Sequence, residues 1–247
     1  MRFAKDIIRK MFSVSGYSIG RIQKPCNAEY FYLTKFLNYY LEKKGAFYFI
    51  QIGANDGVTF DPIREFIIRN PGKVKGILLE PMKEAYSKLV GNYKDFPDII
   101  KENLAIHNTE KEMTLYKVDP AKRELLEKWS GGMASFNNEH HKLSNTPKEF
   151  ILEEKVKCIS LEELLLRHEV KKLDLLQIDT EGYDAEIIMN IDFSRIKPSI
   201  IRFEHGYMDK IMGKDKVEAI LKLLNDNGYQ IIIESYDATA YQPFLII

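Results

Sequence analysis

The chain has 247 residues, 45% of them hydrophobic, enough to bury the core of one enzyme-sized α/β domain. Its 36 basic and 36 acidic side chains cancel, which removes the electrostatic footprint of a nucleic-acid binder, so nucleic acid is not an expected partner. Two cysteines, Cys26 and Cys158, and five histidines stand in no metal-ligand spacing, which points to a reducing compartment and to no structural metal.

Lys5, Asp6, Arg9 and Lys10 interrupt the N-terminus and leave no apolar stretch of signal-peptide length. No later run approaches the roughly 20 apolar residues of a membrane span, so a cytoplasmic protein is expected. Within residues 1–12, Phe3, Ile7, Ile8 and Met11 share one helical face, with Arg2, Lys5 and Arg9 elsewhere. That pattern suits a helix docked on its own domain, or a weak peripheral contact with the inner face of a membrane. A helix over 28–44 completes an N-terminal helical extension, residues 1–45, ahead of one domain over 46–247.

The first strand, 46–52, breaks from Phe47-Tyr-Phe-Ile-Gln-Ile into Gly53-Ala-Asn-Asp-Gly57. An apolar strand that ends in closely spaced glycines is a strand ending at a ligand, because glycine allows turns and backbone approach that a Cβ forbids. The spacing is G-x-x-x-G rather than the dinucleotide G-x-G-x-x-G, and Asp56 sits inside the turn. A carboxylate there repels phosphate and suits a sulfonium or ammonium, which moves the ligand from NAD toward S-adenosylmethionine. A plain tight turn is the alternative.

A helix over 59–69 leads to a second strand, 75–80, ending in Glu80 at the distance a ribose-binding carboxylate requires. Helix 82–93 and strand 99–105 complete a βαβαβ half in the nucleotide-binding style. The runs Met113 to Val118 and Lys155 to Ile159 read as an inserted ribbon pair. Between them Trp129-Ser-Gly-Gly-Met-Ala-Ser-Phe-Asn-Asn-Glu-His-His141 is a long glycine-bearing loop, either a lid or binding segment or a disordered stretch.

The second half repeats the alternation with strand 173–179, helix 183–190, strand 199–204, helix 214–227, strand 229–234 and a final apolar run at 243–247. Strand 173–179 delivers Asp179, Glu181, Asp184 and Glu186 to the edge that holds Gly53. The helix dipole accounts for Asp184 and Glu186, whereas Asp179 and Glu181 stand at the strand tip where no dipole needs them. The next strand ends Glu204-His205-Gly206, and a Glu-His pair can hold an imidazole as a proton acceptor or form a surface salt bridge.

Four strings, Ile52-Gly-Ala-Asn-Asp-Gly57, Leu79-Glu80-Pro81, Asn103-Leu-Ala105 and Leu176-Gln-Ile-Asp179-Thr-Glu181-Gly182, resemble in order and spacing the FkbM-type S-adenosylmethionine-dependent methyltransferases. The resemblance covers about residues 46–206. It implies an α/β, Rossmann-like, doubly wound sheet of seven strands of the class I methyltransferase type, carrying the inserted β-ribbon and loop. It further implies methyl transfer to a hydroxyl, often of a sugar.

On that resemblance Gly53, Asn55 and Gly57 shape the loop around the methionine part of the cofactor, with Gln51 and Asp56 beside it. Glu80 and Pro81 take the ribose, Leu104 and Ala105 border the adenine, and Asp179 faces both cofactor and acceptor. Two positions depart from the family: Gln51 replaces a frequent acidic residue, and Gln177 a common lysine. An amide still hydrogen-bonds a cofactor amine.

The expected activity is methylation of a carbohydrate hydroxyl, in a surface glycan or its precursor. Asp179, Glu204 and His205 are the candidate proton acceptors, and Ser135, His140, Glu181 and Tyr183 the candidate acceptor-binding residues. Tyr183, Tyr207, Trp129 and Phe136 are available to stack on a sugar ring. No metal is assigned, since Asp179, Glu181 and Glu204 alone do not supply the convergent oxygens a hard cation needs. Two other readings use the same sheet: a nicotinamide-dependent oxidoreductase, and a non-catalytic nucleoside-binding module of a membrane-associated synthesis complex.

Overall fold

A computed structural model describes residues 17–18, 28–126, 133–143, 145–205 and 212–243. Its strands are β1 (Tyr17–Ser18), β2 (Phe47–Ile52), β3 (Val74–Leu79), β4 (Ile99–Glu102), β5 (Ala105–Ile106), β6 (Glu112–Val118), β7 (Ala134–Ser135), β8 (Ile151–Ile159), β9 (Leu175–Ile178), β10 (Ile200–Glu204), β11 (Gln230–Ile233) and β12 (Asp237–Tyr241). The α-helices are α1 (Ala28–Lys44), α2 (Arg64–Arg69), α3 (Lys83–Asn92), α4 (Leu161–Arg167), α5 (Asp184–Met189) and α6 (Lys214–Asp226).

The main sheet runs β1-β11-β12-β10-β9-β2-β3-β4, with seven principal strands and the two-residue β1 at one edge. All pairs are parallel except those of β12, which is antiparallel to β10 and β11. Strands buried on both faces read as continuous apolar runs, and every residue of β9 is buried. Each face then collects the apolar residues of its own parity. Ile50, Ile52, Leu176, Ile178, Ile201 and Phe203 pack with α4, α5 and α6. Phe47, Phe49, Leu78, Leu175 and Ile200 pack with α1, α2 and α3. The result is the doubly wound α/β architecture of the sequence reading.

Local chemistry explains several boundaries. Ser160 caps α4 by accepting the Glu163 N–H at 3.1 Å, and Val217, Ile220, Leu221 and Leu224 give α6 its buried stripe. Helix α2 begins five residues later than predicted at 59. Asp56 accepts the N–H groups of Val58 and Thr59, and Asp61 those of Ile63 and Arg64, so two aspartate turns occupy the interval. The predicted strand 99–105 is two strands. β4 belongs to the main sheet, whereas β5 pairs with β8 in a second sheet ordered β5-β8-β6-β7, the inserted ribbon.

Among the described residues the last strand is β12, which the sequence reading did not assign; of the expected run at 243–247, residues 244–247 lie outside the described residues. Ala238 and Ala240 are fully buried between β10 and β11, in the core cluster that includes α4, α5 and α6. Residues 1–12, the expected amphipathic helix, also lie outside the described residues, as do Cys26, Trp129 and Tyr207. Among the described residues no helix is long and apolar enough to cross a membrane.

Candidate active site

Register sets the site. Ile52 pairs with Leu79 and with Ile178, and Ile178 with Phe203, so Gly53, Glu80, Asp179 and Glu204 stand at the carboxyl edge of β2, β3, β9 and β10. This edge is where open α/β sheets bind ligands. A partly open cleft lies there. Its lining includes Gly53, Asn55, Glu80, Pro81, Leu104 and Ala105, and also Asp179, Glu181 and Tyr183, all of them sequence-predicted.

The turn after β2 is built by close approach. Gly53 has φ +83°, and a Cβ on it would lie 1.8 Å from the main-chain oxygen of Asp179. Gly57, at φ +68°, would drive a Cβ to 2.5 Å from Leu89 and 2.6 Å from Tyr93. Asn55 takes the left-handed conformation, φ +48°, and donates its N–H to Glu80 Oε2 at 2.8 Å. Met82 N–H donates to Glu80 Oε1, also at 2.8 Å. The Glu80 carboxylate thus ties the glycine turn to the start of α3, and each oxygen keeps a second lone pair. Burial pushes its carboxyl up to about 7 against these two bonds, with Glu154 and Asp56 adding to the rise.

Three predicted cofactor residues do not line the cleft. Asp56 is turned back onto Val58 and Thr59. Burial disfavours its charge, but the N–H groups of those residues and the Thr59 hydroxyl outweigh this and hold its carboxyl below the ordinary value. Gly57 is packed under Leu89 and Tyr93. Gln51 is 2% exposed, inside the sheet, beside Gln177 and near Asp61.

Asp179 closes the opposite wall. Burial raises its carboxyl well above the carboxylate range, and Glu181, Asp184 and Asp237 raise it further. Asp184 accepts both the N–H and the hydroxyl of Thr180, at 3.0 and 2.9 Å, and burial takes its carboxyl to about 7. Glu181 adopts φ +53°, a conformation costly for a residue with a Cβ. The aromatic wall is a stack of His107 on Tyr183, ring centroids 5.2 Å apart and planes 17° from parallel, with Phe136 edge-on to both.

Glu204 and His205 adjoin the cleft without lining it. Burial, with Asp179 and Glu181 the leading neighbouring charges, pushes the Glu204 carboxyl to about 10. His205 is 3% exposed, and its Nε2 lies 3.2 Å from the Glu234 carbonyl. A carbonyl only accepts, so in the neutral ring Nε2 carries the proton and Nδ1 holds the lone pair, which has no partner among the described residues.

The other two acceptor-binding candidates lie behind the wall. Ser135 donates its hydroxyl to the Glu181 carbonyl at 2.8 Å, and the buried His140 reaches the Glu181 carboxylate at 3.3 Å.

Other residues carry parts of the site that the sequence reading did not assign. Asn103, part of a quoted string but given no role, donates to the Glu80 and Pro81 carbonyls at 2.8 and 2.9 Å. Arg202 is 1% exposed and bonds Glu234, Asp237 and Thr239, a buried guanidinium beneath the carboxylates. Its place on an apolar strand, Ile200-Ile-Arg-Phe, was the available signal. Among the described residues no group of three His, Cys, Asp or Glu side chains could hold a metal ion.

The sheet and its edge define a class I S-adenosylmethionine-dependent methyltransferase. The family model described as the methyltransferase FkbM domain matches residues 51–231, and the chain belongs to that family. S-adenosylmethionine is its cofactor. The residues fit that group, since the Gly53–Asn55 turn borders the cleft and the carboxyl residues Glu80 and Asp179 line it from two strand tips.

The solved structures it is similar to include the precorrin-6y C5,15-methyltransferase of Geobacter metallireducens, at 13% identity over 91% of this chain and 92% of that one, TM-score 0.44. The Bacillus cereus O-methyltransferase in complex with SAH matches at 9% over 96% and 90%, TM-score 0.42. Aeropyrum pernix fibrillarin with natively bound S-adenosyl-L-methionine matches at 14% over 83% and 73%, TM-score 0.40. No curated protein matches the chain.

Proposed function

We propose that the enzyme methylates a hydroxyl of a carbohydrate acceptor, a surface glycan or its precursor. The observation that supports this reading is Asp179, buried at the tip of β9 on the cleft wall, with its carboxyl raised by burial and by Glu181. A carboxylate of raised basicity is suited to accept the proton of a neutral alcohol as its oxygen attacks.

The bound cofactor supplies an activated methyl on a sulfonium with its leaving group built in. The chain's own residues bind, orient and move a proton. Gly53 and Asn55 give the methionine part its turn, and Glu80 accepts the ribose hydroxyls on its remaining lone pairs. Leu104, Ala105 and Ile106 form the apolar border of the base. Asp179 faces cofactor and acceptor, with His205 Nδ1 as a second lone pair near the edge and Glu204 holding a proton. Tyr183 and Phe136 offer apolar faces to a sugar ring. The same reading puts the enzyme on the cytoplasmic side of a membrane, with residues 1–12 as a peripheral contact.

The test is transfer of labelled methyl from S-adenosylmethionine to a panel of free sugars, nucleotide sugars and glycan fragments, run beside amine and carboxylate acceptors. Label in an alkali-stable sugar ether supports the proposal. Label confined to amines or carboxylates removes it.

A further inference from the structure

The cleft wall at Glu181 is held from outside the sheet that forms it. Glu181 follows β9, but its backbone sits at φ +53°, a state that costs a non-glycine residue on the order of 1 kcal/mol or more and persists only when neighbours impose it. Within Asp179 to Tyr183, the Thr180 N–H and hydroxyl are taken by Asp184, and the Tyr183 N–H by the Thr180 hydroxyl. The Glu181 carbonyl and carboxylate are instead met by the inserted ribbon, more than 40 residues earlier in the chain. The Ser135 hydroxyl donates to the carbonyl at 2.8 Å, and His140 Nε2 lies 3.3 Å from Oε2.

Both ribbon residues are buried, with Ser135 3% and His140 5% exposed, so neither presents its side chain to an acceptor. They are in turn braced. Ser135 Oγ also accepts the Asn137 N–H at 3.2 Å, and the Asn137 side chain takes the Glu139 N–H at 2.9 Å, shaping the turn that delivers His140. Phe136, between them in sequence, packs edge-on against Tyr183. Three contacts, from Ser135, Phe136 and His140, therefore join the ribbon to the loop.

We propose that Ser135 and His140 are positioning residues, which hold the Glu181 loop in its left-handed conformation and so shape the cofactor-facing wall of the cleft. The inserted ribbon is thereby a working part of the methyltransferase site, whatever acceptor it serves. Glu181 is also the leading charged neighbour of Asp179, so its placement bears on the ionisation of the residue at the reacting edge.

The experiment uses the full chain and S-adenosylmethionine alone, so its outcome does not depend on the acceptor being a carbohydrate. Calorimetric affinity and amide hydrogen exchange over residues 179–184 are measured for wild type, His140→Ala, His140→Gln, Ser135→Ala, Glu181→Gln and the His140→Ala/Glu181→Gln pair. Denaturant unfolding of each variant controls for global stability. His140→Ala and Ser135→Ala should each speed local exchange about tenfold and weaken S-adenosylmethionine about five- to tenfold, the scale of one buried charge-assisted or neutral hydrogen bond.

His140→Gln, whose amide nitrogen can donate where Nε2 does, should restore both readouts. The paired variant should lose no more than His140→Ala alone, because the two residues act through one contact. Wild-type exchange and affinity in folded His140→Ala and Ser135→Ala would overturn the proposal. Additive losses in the pair, or no rescue by glutamine, would do the same. If His140→Ala does not fold, Ser135→Ala, which removes the donor to the Glu181 main-chain carbonyl, decides the proposal through the same two readouts.

Discussion

The Cα of Gly53 lies against the main-chain carbonyl of Asp179, so close that a Cβ would stand 1.8 Å from that oxygen. The cofactor turn and the reacting edge are thus in van der Waals contact through backbone alone. Gly53→Ala must separate β2 from β9 at their tips and also hold alanine at φ +83°. We expect a loss of at least about 2 kcal/mol in stability from the strained conformation and the overlap together. S-adenosylmethionine affinity should fall more than about tenfold. Urea unfolding and calorimetry check this, and a variant with native affinity would show that the two strand tips are free to part.

Glu80, Asp61 and Asp184 share an unusual state. Burial raises their carboxyls to about 7, about 6 and about 7. A carboxyl raised in the fold binds its proton more tightly there than in the unfolded chain. Its stabilising contribution is complete below the unfolded value, near 4, and is lost as pH rises through the folded value. The cofactor-free protein should therefore be less stable at pH 8 than at pH 5.5 by about 1 kcal/mol or more. Glu80→Gln should flatten that slope and weaken S-adenosylmethionine by about tenfold, the scale of one charge-assisted bond. Denaturant midpoints across pH 5 to 8 decide it. A midpoint that rises with pH in the wild type would mean that these carboxyls are not held as described.

The parts of this arrangement that were legible in the sequence are those in which one short segment carries both fold and chemistry. Phe47 to Gly57 reads as strand and ligand turn together, and Leu173 to Glu181 as buried strand and acidic tip, because alternation of β and α runs leaves those tips only one edge to occupy. Strand β12 was not legible. Asp237-Ala-Thr-Ala-Tyr has no continuous apolar run, because Asp237 and Thr239 bond the buried Arg202 on the neighbouring strand. Asp56 was read as a carboxylate that repels phosphate and suits a sulfonium, whereas its side chain is turned back onto Val58 and Thr59 and serves its own turn. The contacts of Ser135 and His140 with Glu181 join distant segments through a strained backbone angle, and no local pattern announces such a pairing.

Asn103 provides a test of how the backbone at Glu80, proposed to take the ribose, is held. Its amide donates to the carbonyls of Glu80 and Pro81, which fixes the backbone carrying the Glu80 side chain. Asn103→Ala should weaken S-adenosylmethionine about five- to thirtyfold, the range for one or two neutral hydrogen bonds, while Asn103→Asp should weaken it further by facing a carboxylate with two carbonyls. Equal affinities in all three proteins would make Asn103 a surface residue of no consequence to the cofactor.

The proposed function gives the acceptor's proton to Asp179, and the neighbouring groups allow that proposal to be separated from its alternatives. Burial and the neighbouring Asp179 charge push the Glu204 carboxyl up to about 10, so while Asp179 is ionised Glu204 holds its proton. Glutamine mimics a protonated carboxyl, so Glu204→Gln should keep kcat within about threefold, whereas Asp179→Asn should lower it by about 10² to 10⁴, the contribution of a positioned general base. Because a base must be ionised to work, kcat/KM should rise with pH through the raised ionisation of Asp179. Glu181→Gln removes the leading charge that raises Asp179 and should move that limb to lower pH. His205 competes for the role through Nδ1, which has no partner among the described residues. If His205→Ala abolishes turnover and the rising limb while Asp179→Asn retains both, the imidazole is the base and Asp179 serves the cofactor alone.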